Sequence, residues 1–109
     1  MAELDADRPA EARIETRTDE SGAPVIAVTG ELDMSNAGKL DATVESLLAQ
    51  QPERLIFDLS ALRFMDSAGI AVLLGAANRI ETIELRDPSP AVRRVVELTG
   101  LTRVLSVVP

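Results

Sequence analysis

The chain has 109 residues, 46% apolar and 27% charged, with a formal net charge of −7. That size and balance predict a single globular domain with a modest core. It has no histidine and no cysteine, which removes the usual general base, any Ser-His-Asp triad, thiolate metal sites and a disulfide frame. The acidic balance and an aromatic content of 2% argue against nucleic acid, an anionic membrane surface or base stacking as targets.

Residues 1–13 read as a flexible acidic lead-in with Pro9, unlike a signal peptide. No apolar run reaches the roughly 18 residues of a membrane-spanning helix. A cytoplasmic protein is expected, with its domain over 14–109. Ile14–Thr18 alternates as an edge strand, Asp19-Glu20-Ser21-Gly22 is turn chemistry, and Pro24–Thr29 is a strand with proline at its tolerated first position. The two strands predict a hairpin. Gly30-Glu31-Leu32-Asp33-Met34 ends the second strand. Ser35 or Asn36 caps a helix that runs to about Gln50 and stops at Pro52. Its apolar stripe is Leu40, Val44, Leu47 and Leu48.

The centre of the chain is Leu55–Gly75. Leu55-Ile56-Phe57 is an apolar run that predicts a strand buried on both faces, ending at Asp58 and Leu59. A short link carries Phe64 and Met65. Asp66-Ser67 then opens a nearly uncharged helix, where either side-chain oxygen suits an N-cap. The simplest role of Ser67 is to be that cap. In an open α/β sheet this position lies beside strand C-termini, where ligands and partners meet the fold.

Glu81–Arg86 alternates as a half-buried strand. Ser89 and Pro90 make a strong helix start, with Val92, Val95, Val96 and Leu98 as the apolar stripe. Gly100 suits a left-handed helix end with Leu101 folding back over it, and Val104–Val108 is a last strand. The expected order is β-β-α-β-α-β-α-β. It describes a single α/β domain whose mixed, mostly parallel sheet has helices packed against it and an antiparallel first hairpin.

Catalytic equipment is poorly represented. Asp33, Asp58 and Asp66 are the central acids, and each sits where a cap or strand end uses a carboxylate. Lys39 reads as solvated on the first helix. GELDMSNAG and DSAG match no phosphate-loop pattern. No catalytic residue, metal ligand or cofactor is assigned. A helix as apolar as Ala68–Ala77 cannot be covered on every side in so small a domain, so a protein-binding surface starting at Ser67 is expected, formed by Ile70–Gly75.

The run Phe64-Met65-Asp66-Ser67-Ala68-Gly69, preceded by Leu55-Ile56-Phe57-Asp58-Leu59-Ser60, resembles the STAS-domain anti-sigma factor antagonists of bacteria. Gly30-Glu31-Leu32-Asp33, Pro88-Ser89-Pro90-Ala91-Val92 and Leu98-Thr99-Gly100-Leu101 extend the resemblance from about Ile14 to Val108. It implies a small α/β sandwich. It also implies a non-enzymatic partner switch in which the unphosphorylated protein binds an anti-sigma factor, often itself a serine kinase, and so releases a sigma factor. By the same resemblance Ser67 is the phospho-acceptor, a phosphatase restores it, and Asp33, Asp66, Ser67, Ala68, Gly69, Ile70 and Val72 are the partner-binding residues of a monomer or weak dimer. Two features depart from the family pattern. Ala68 replaces a common second hydroxyl, and the link after the Ser67 helix is about one turn (~4 residues) shorter. The alternative is a STAS interaction module without serine phosphorylation, either in a multi-STAS regulatory complex or as a lipid-transport subunit. An enzyme or nucleotide binder built on Asp33, Asp58 and Asp66 is the third reading.

Overall fold

The computed structural model describes residues 11–103 and 105–109. Most of the acidic lead-in, and Val104 of the expected last strand, lie outside the described residues. The first strand, β1 (Ala12–Thr18), starts two residues before Ile14 and pairs antiparallel with β2 (Pro24–Leu32). Asp19 builds the turn between them. Its Oδ1 accepts from Ser21 N at 2.9 Å, Ser21 Oγ at 2.6 Å and Ala23 N at 3.0 Å. Gly22 takes φ +88 there, a left-handed conformation that glycine adopts without steric cost.

Helix α1 (Ala37–Leu48) follows β2. It buries Leu40, Val44 and Leu48 and half-buries Leu47. Gln51 turns left-handed with φ 53, so the chain leaves the helix just before Pro52. The next strand, β3 (Arg54–Asp58), pairs parallel with β2. Leu55, Ile56 and Phe57 are all fully buried, as an apolar run in a parallel sheet predicts.

The link to the Ser67 helix is itself a strand, β4 (Leu62–Met65), which corrects the order to β-β-α-β-β-α-β-α-β. Its burial pattern is buried, exposed, exposed, buried, so it shows no period-2 alternation and escaped a pattern reading. Asp58 forms the turn before it, accepting from Ser60 N at 3.1 Å and Ser60 Oγ at 2.7 Å. Strand β2 thus pairs first with β3 and then, past a register shift at Gly30, with β4.

Helix α2 (Ser67–Ala77) follows, then β5 (Thr82–Arg86), α3 (Pro90–Leu98), a 3₁₀ turn at Leu101–Arg103 and β6 (Ser106–Val108). The six-stranded sheet runs β1-β2-β3-β5-β6 with β4 beside β2. Only β1 is antiparallel to its neighbour. Ser89 caps α3 through Val92 N at 3.3 Å, and Gly100 turns at φ +76. Val92 and Val96 are buried and Val95 is half-buried. Leu98 is 70% exposed rather than part of the stripe, because it lies two residues beyond Val96 and faces away from the sheet.

One face of the sheet holds the main core. Ile26, Val28, Leu55, Phe57, Ile83 and Leu85 meet the buried stripes of all three helices. The opposite face is charged. Arg17 pairs with Asp58 at 2.8 Å, Arg54 with Asp19 at 3.2 Å and Glu84 at 3.6 Å, and Arg86 with Glu84 at 2.8 Å. Val25 and Ile56 have Arg17 and Glu84 as register partners on this face, yet both are fully buried. The aliphatic stems of such long side chains cover apolar surface while their heads stay wet.

Candidate partner-binding site

Two strand ends build the site. Leu32, the last residue of β2, pairs with Met65, the last residue of β4. The Asp66 amide then donates to the Leu32 carbonyl at 3.1 Å. That bond brings the Asp33 loop and the start of α2 together, though they are more than thirty residues apart in sequence. Within the loop, Asp33 Oδ1 accepts from Ser35 N at 2.8 Å and Ser35 Oγ at 2.6 Å. Asn36 is 5% exposed and staples the loop from inside. Its Oδ1 accepts from Asp33 N and its Nδ2 donates to the Glu31 carbonyl, both at 2.9 Å. Asn36 therefore does not cap α1 with its side chain; its amide group is used one turn earlier.

The cap of α2 is Asp66, not Ser67. Asp66 has extended backbone and its Oδ1 accepts from Ala68 N at 2.8 Å. A carboxylate at the N-cap fills an orphan donor and also meets the positive end of the helix dipole. Ser67 is displaced to the first helical position. It is exposed, and its hydroxyl makes no hydrogen bond among the described residues.

The cap also sets the phase of the helix. Gly69, Ile70 and Val72 turn inward and are buried, so they pack into the core. Asp33, Asp66 and Ala68 are partly exposed. The outward residues are Ser67, Ala71, Leu74, Gly75 and Asn78, a stripe at i, i+4, i+7, i+8 and i+11. Met34, 83% exposed on the Asp33 loop, and Phe64, 48% exposed on β4, are apolar side chains left in solvent near these elements. They carry no sequence signal, because a single apolar residue in a polar loop or short strand has no period.

Gly69 has a packing reason. A Cβ placed there would lie 2.5 Å from Met65 Cγ and 2.8 Å from Leu32 Cδ2, both on side chains that are 1% exposed. The glycine lets the first turn of α2 sit directly on the paired ends of β2 and β4. After α2, Asn78 ends the helix, and only residues 78–81 lead to β5. In that link Arg79 pairs with Glu45 of α1.

The third acid is elsewhere. Asp58 is engaged by Arg17 and Ser60. Burial pushes its carboxyl up, but the hydrogen bonds from Arg17 and Ser60 outweigh that and hold it below the ordinary carboxylate value. Asp33, Asp58 and Asp66 thus have separate structural partners. Among the described residues no group of three acidic, histidine or cysteine side chains is placed to hold a metal ion, and no helix is long and apolar enough to cross a membrane.

A mixed sheet with three helices is the fold this chain shares with solved anti-sigma factor antagonists. The unphosphorylated form of SpoIIAA aligns over 89% of each chain with a TM-score of 0.76 and 26% identity. Its phosphorylated form aligns with a TM-score of 0.69, at 25% identity, over 89% of this chain and 92% of its own. The chain belongs to the STAS-domain family: the family model described as "Mlab, STAS domain" matches residues 16–109. The anti-sigma-F factor antagonist RsfB of Mycobacterium tuberculosis is 32% identical over 91 residues, covering 81% of this chain and 75% of that protein. The structure of an anti-sigma factor antagonist from Mycobacterium paratuberculosis superimposes with a TM-score of 0.83 at 29% identity, over 91% of this chain and 86% of its own.

Proposed function

We propose that the protein is an anti-sigma factor antagonist that binds an anti-sigma factor when Ser67 is unmodified and lets go when Ser67 is phosphorylated. The observation that carries this is the position of Ser67. Its hydroxyl is exposed and unbonded among the described residues, at the head of an outward stripe of small residues on α2. Small residues let a partner backbone approach closely, and Leu74 supplies apolar area on the same stripe. The relatives named anti-sigma factor antagonists support the partner class, and SpoIIAA in its two phosphorylation states supports the kind of switch.

Phosphorylation adds about −1.5 to −2 charges. Asp66 already takes the Ala68 amide, so the phosphate arrives beside an existing carboxylate rather than in an unused anion site. The fold needs little rearrangement, because the site is on the surface at a helix N-terminus. The cost falls on the complex, where an unmatched dianion would have to be desolvated. Each ~1.4 kcal/mol is tenfold in affinity, so one phosphate separates bound from free. The protein acts by binding and not by catalysis. The anti-sigma factor is itself the serine kinase, and a phosphatase resets the switch.

Intact-mass analysis after incubation with the cognate kinase and ATP should show a single phosphate, absent in Ser67→Ala. The phosphorylated chain and Ser67→Glu should bind the anti-sigma factor at least tenfold more weakly than the unmodified chain. Equal affinity for all three forms would refute the switch.

A further inference from the structure

The site at Ser67 leaves another feature of the chain unexplained. Arg17, Arg54, Arg79 and Arg86 each meet a carboxylate. Arg13 and Lys39 do not; among the described residues neither forms an ion pair. Both line one concavity of about 630 Å³ together with Arg63. Arg63 reaches Glu31 only at 3.8 Å, with its side chain 74% exposed. Glu11 is the one carboxylate of that lining among the described residues. Three cations therefore face one anion, in a chain whose net charge is −7.

The backbone makes the hollow. At Gly30 the register of β2 shifts as it passes from β3 to β4. Gly30 has φ +97, and its amide donates to Ala61 O at 3.1 Å, while Glu31 N donates to Glu11 O at 2.9 Å. A Cβ at Gly30 would lie 2.4 Å from the Glu11 carbonyl oxygen, so this close crossing requires glycine. The beginnings of β1, α1 and β4 are thereby gathered around one point, and each contributes one cation.

We propose that this concavity binds a small phosphate-class anion, with Arg13, Lys39 and Arg63 as its ligating side chains. Thr29, the register partner of Arg13 and part of the same lining, supplies a hydroxyl donor. Arginine forks match the paired oxygens of an oxoanion, and lysine adds a point charge. The volume lies in the range of small-molecule sites. The acidic remainder of the surface disfavours an extended polyanion such as nucleic acid. The buried Asn36, which holds the Glu31 and Asp33 backbone, also lines the concavity, so occupancy is felt by the loop beside Ser67. The site uses none of the residues assigned to the serine switch and stands independently of it.

The test is a titration of pyrophosphate into the full-length ¹⁵N-labelled protein at constant ionic strength. Saturable amide shifts centred on Gly30, Asn36 and Lys39 are expected. Lys39→Ala and Arg63→Ala should each weaken the apparent affinity by about tenfold or more, with circular dichroism and melting temperature preserved; Ser67→Ala should bind normally. Shifts linear in concentration, shifts centred on the start of α2, or affinity indifferent to both cation substitutions would overturn the proposal.

Discussion

Gly69 is the sharpest place to test how this fold seats its functional helix. In Gly69→Ala two effects oppose each other. Alanine is the better helix former by about 1 kcal/mol. The new methyl, however, would lie 2.5 Å from Met65 Cγ and 2.8 Å from Leu32 Cδ2. Met65 Cγ is held close to the backbone of β4, and both residues are 1% exposed, so neither can swing into solvent. Overpacking of this kind costs about 1–3 kcal/mol, and we expect it to win, for a net loss of about 1 kcal/mol or more. In a domain of this size that lowers Tm by about 4–8 °C. Gly75, on the same helix, is the control: it is exposed and nothing lies within 4 Å of its added Cβ. Gly75→Ala should therefore gain about 0.5–1 kcal/mol. Thermal and urea melts of the two variants should move in opposite directions. A Gly69→Ala protein as stable as the parent but defective in partner binding would refute the reasoning, since it would make Gly69 a contact residue rather than a packing one.

The exposed stripe makes a complementary prediction: Leu74→Glu should weaken anti-sigma factor binding by tenfold or more in a pulldown or titration with Tm nearly unchanged, whereas Ile70→Glu should fail to fold stably. Asp66→Ala removes the α2 cap and should cost about 1 kcal/mol in a denaturant melt. Gly30→Ala should be worse than an ordinary surface change, by about 1–3 kcal/mol, because its positive φ and the Glu11 carbonyl both exclude a Cβ. Asp58 has a lowered folded pKa, and the Asp19 carboxyl is lowered too, first by the Ser21 hydroxyl. Their contribution is thus complete above the unfolded aspartate value of about 3.9 and is lost as pH falls below it through the folded values. Asp58→Asn should flatten the acid limb of a stability-versus-pH profile below about pH 4.

Much of the fold was legible because its signals are local. Leu55-Ile56-Phe57 is apolar without alternation and is buried on both faces. Ser89-Pro90 caps α3, and Gly100 takes the left-handed angle expected of it. What escaped had no local period. Strand β4 is four residues long with a non-alternating pattern, and it exists because β2 needs a second partner after the shift at Gly30. Leu98 fits the spacing of a core stripe but is exposed, because it lies two residues beyond Val96 and faces away from the sheet.

The Asp-Ser pair divides the two kinds of information most clearly. Sequence alone determined that a helix starts there, that no catalytic histidine or thiol can serve it, and that Ser67 is the hydroxyl of the signature. Tertiary structure decided which of the pair is the cap. Once the Asp66 amide is bonded to Leu32 O and its carboxylate takes the Ala68 amide, the phase of α2 is set. Gly69, Ile70 and Val72 then go to the core, and Ser67, Ala71 and Leu74 go to solvent. A nearly uniform apolar helix has no hydrophobic stripe to declare its own orientation. Only the contacts at its first turn, made with a strand more than thirty residues away, choose which side a partner can meet.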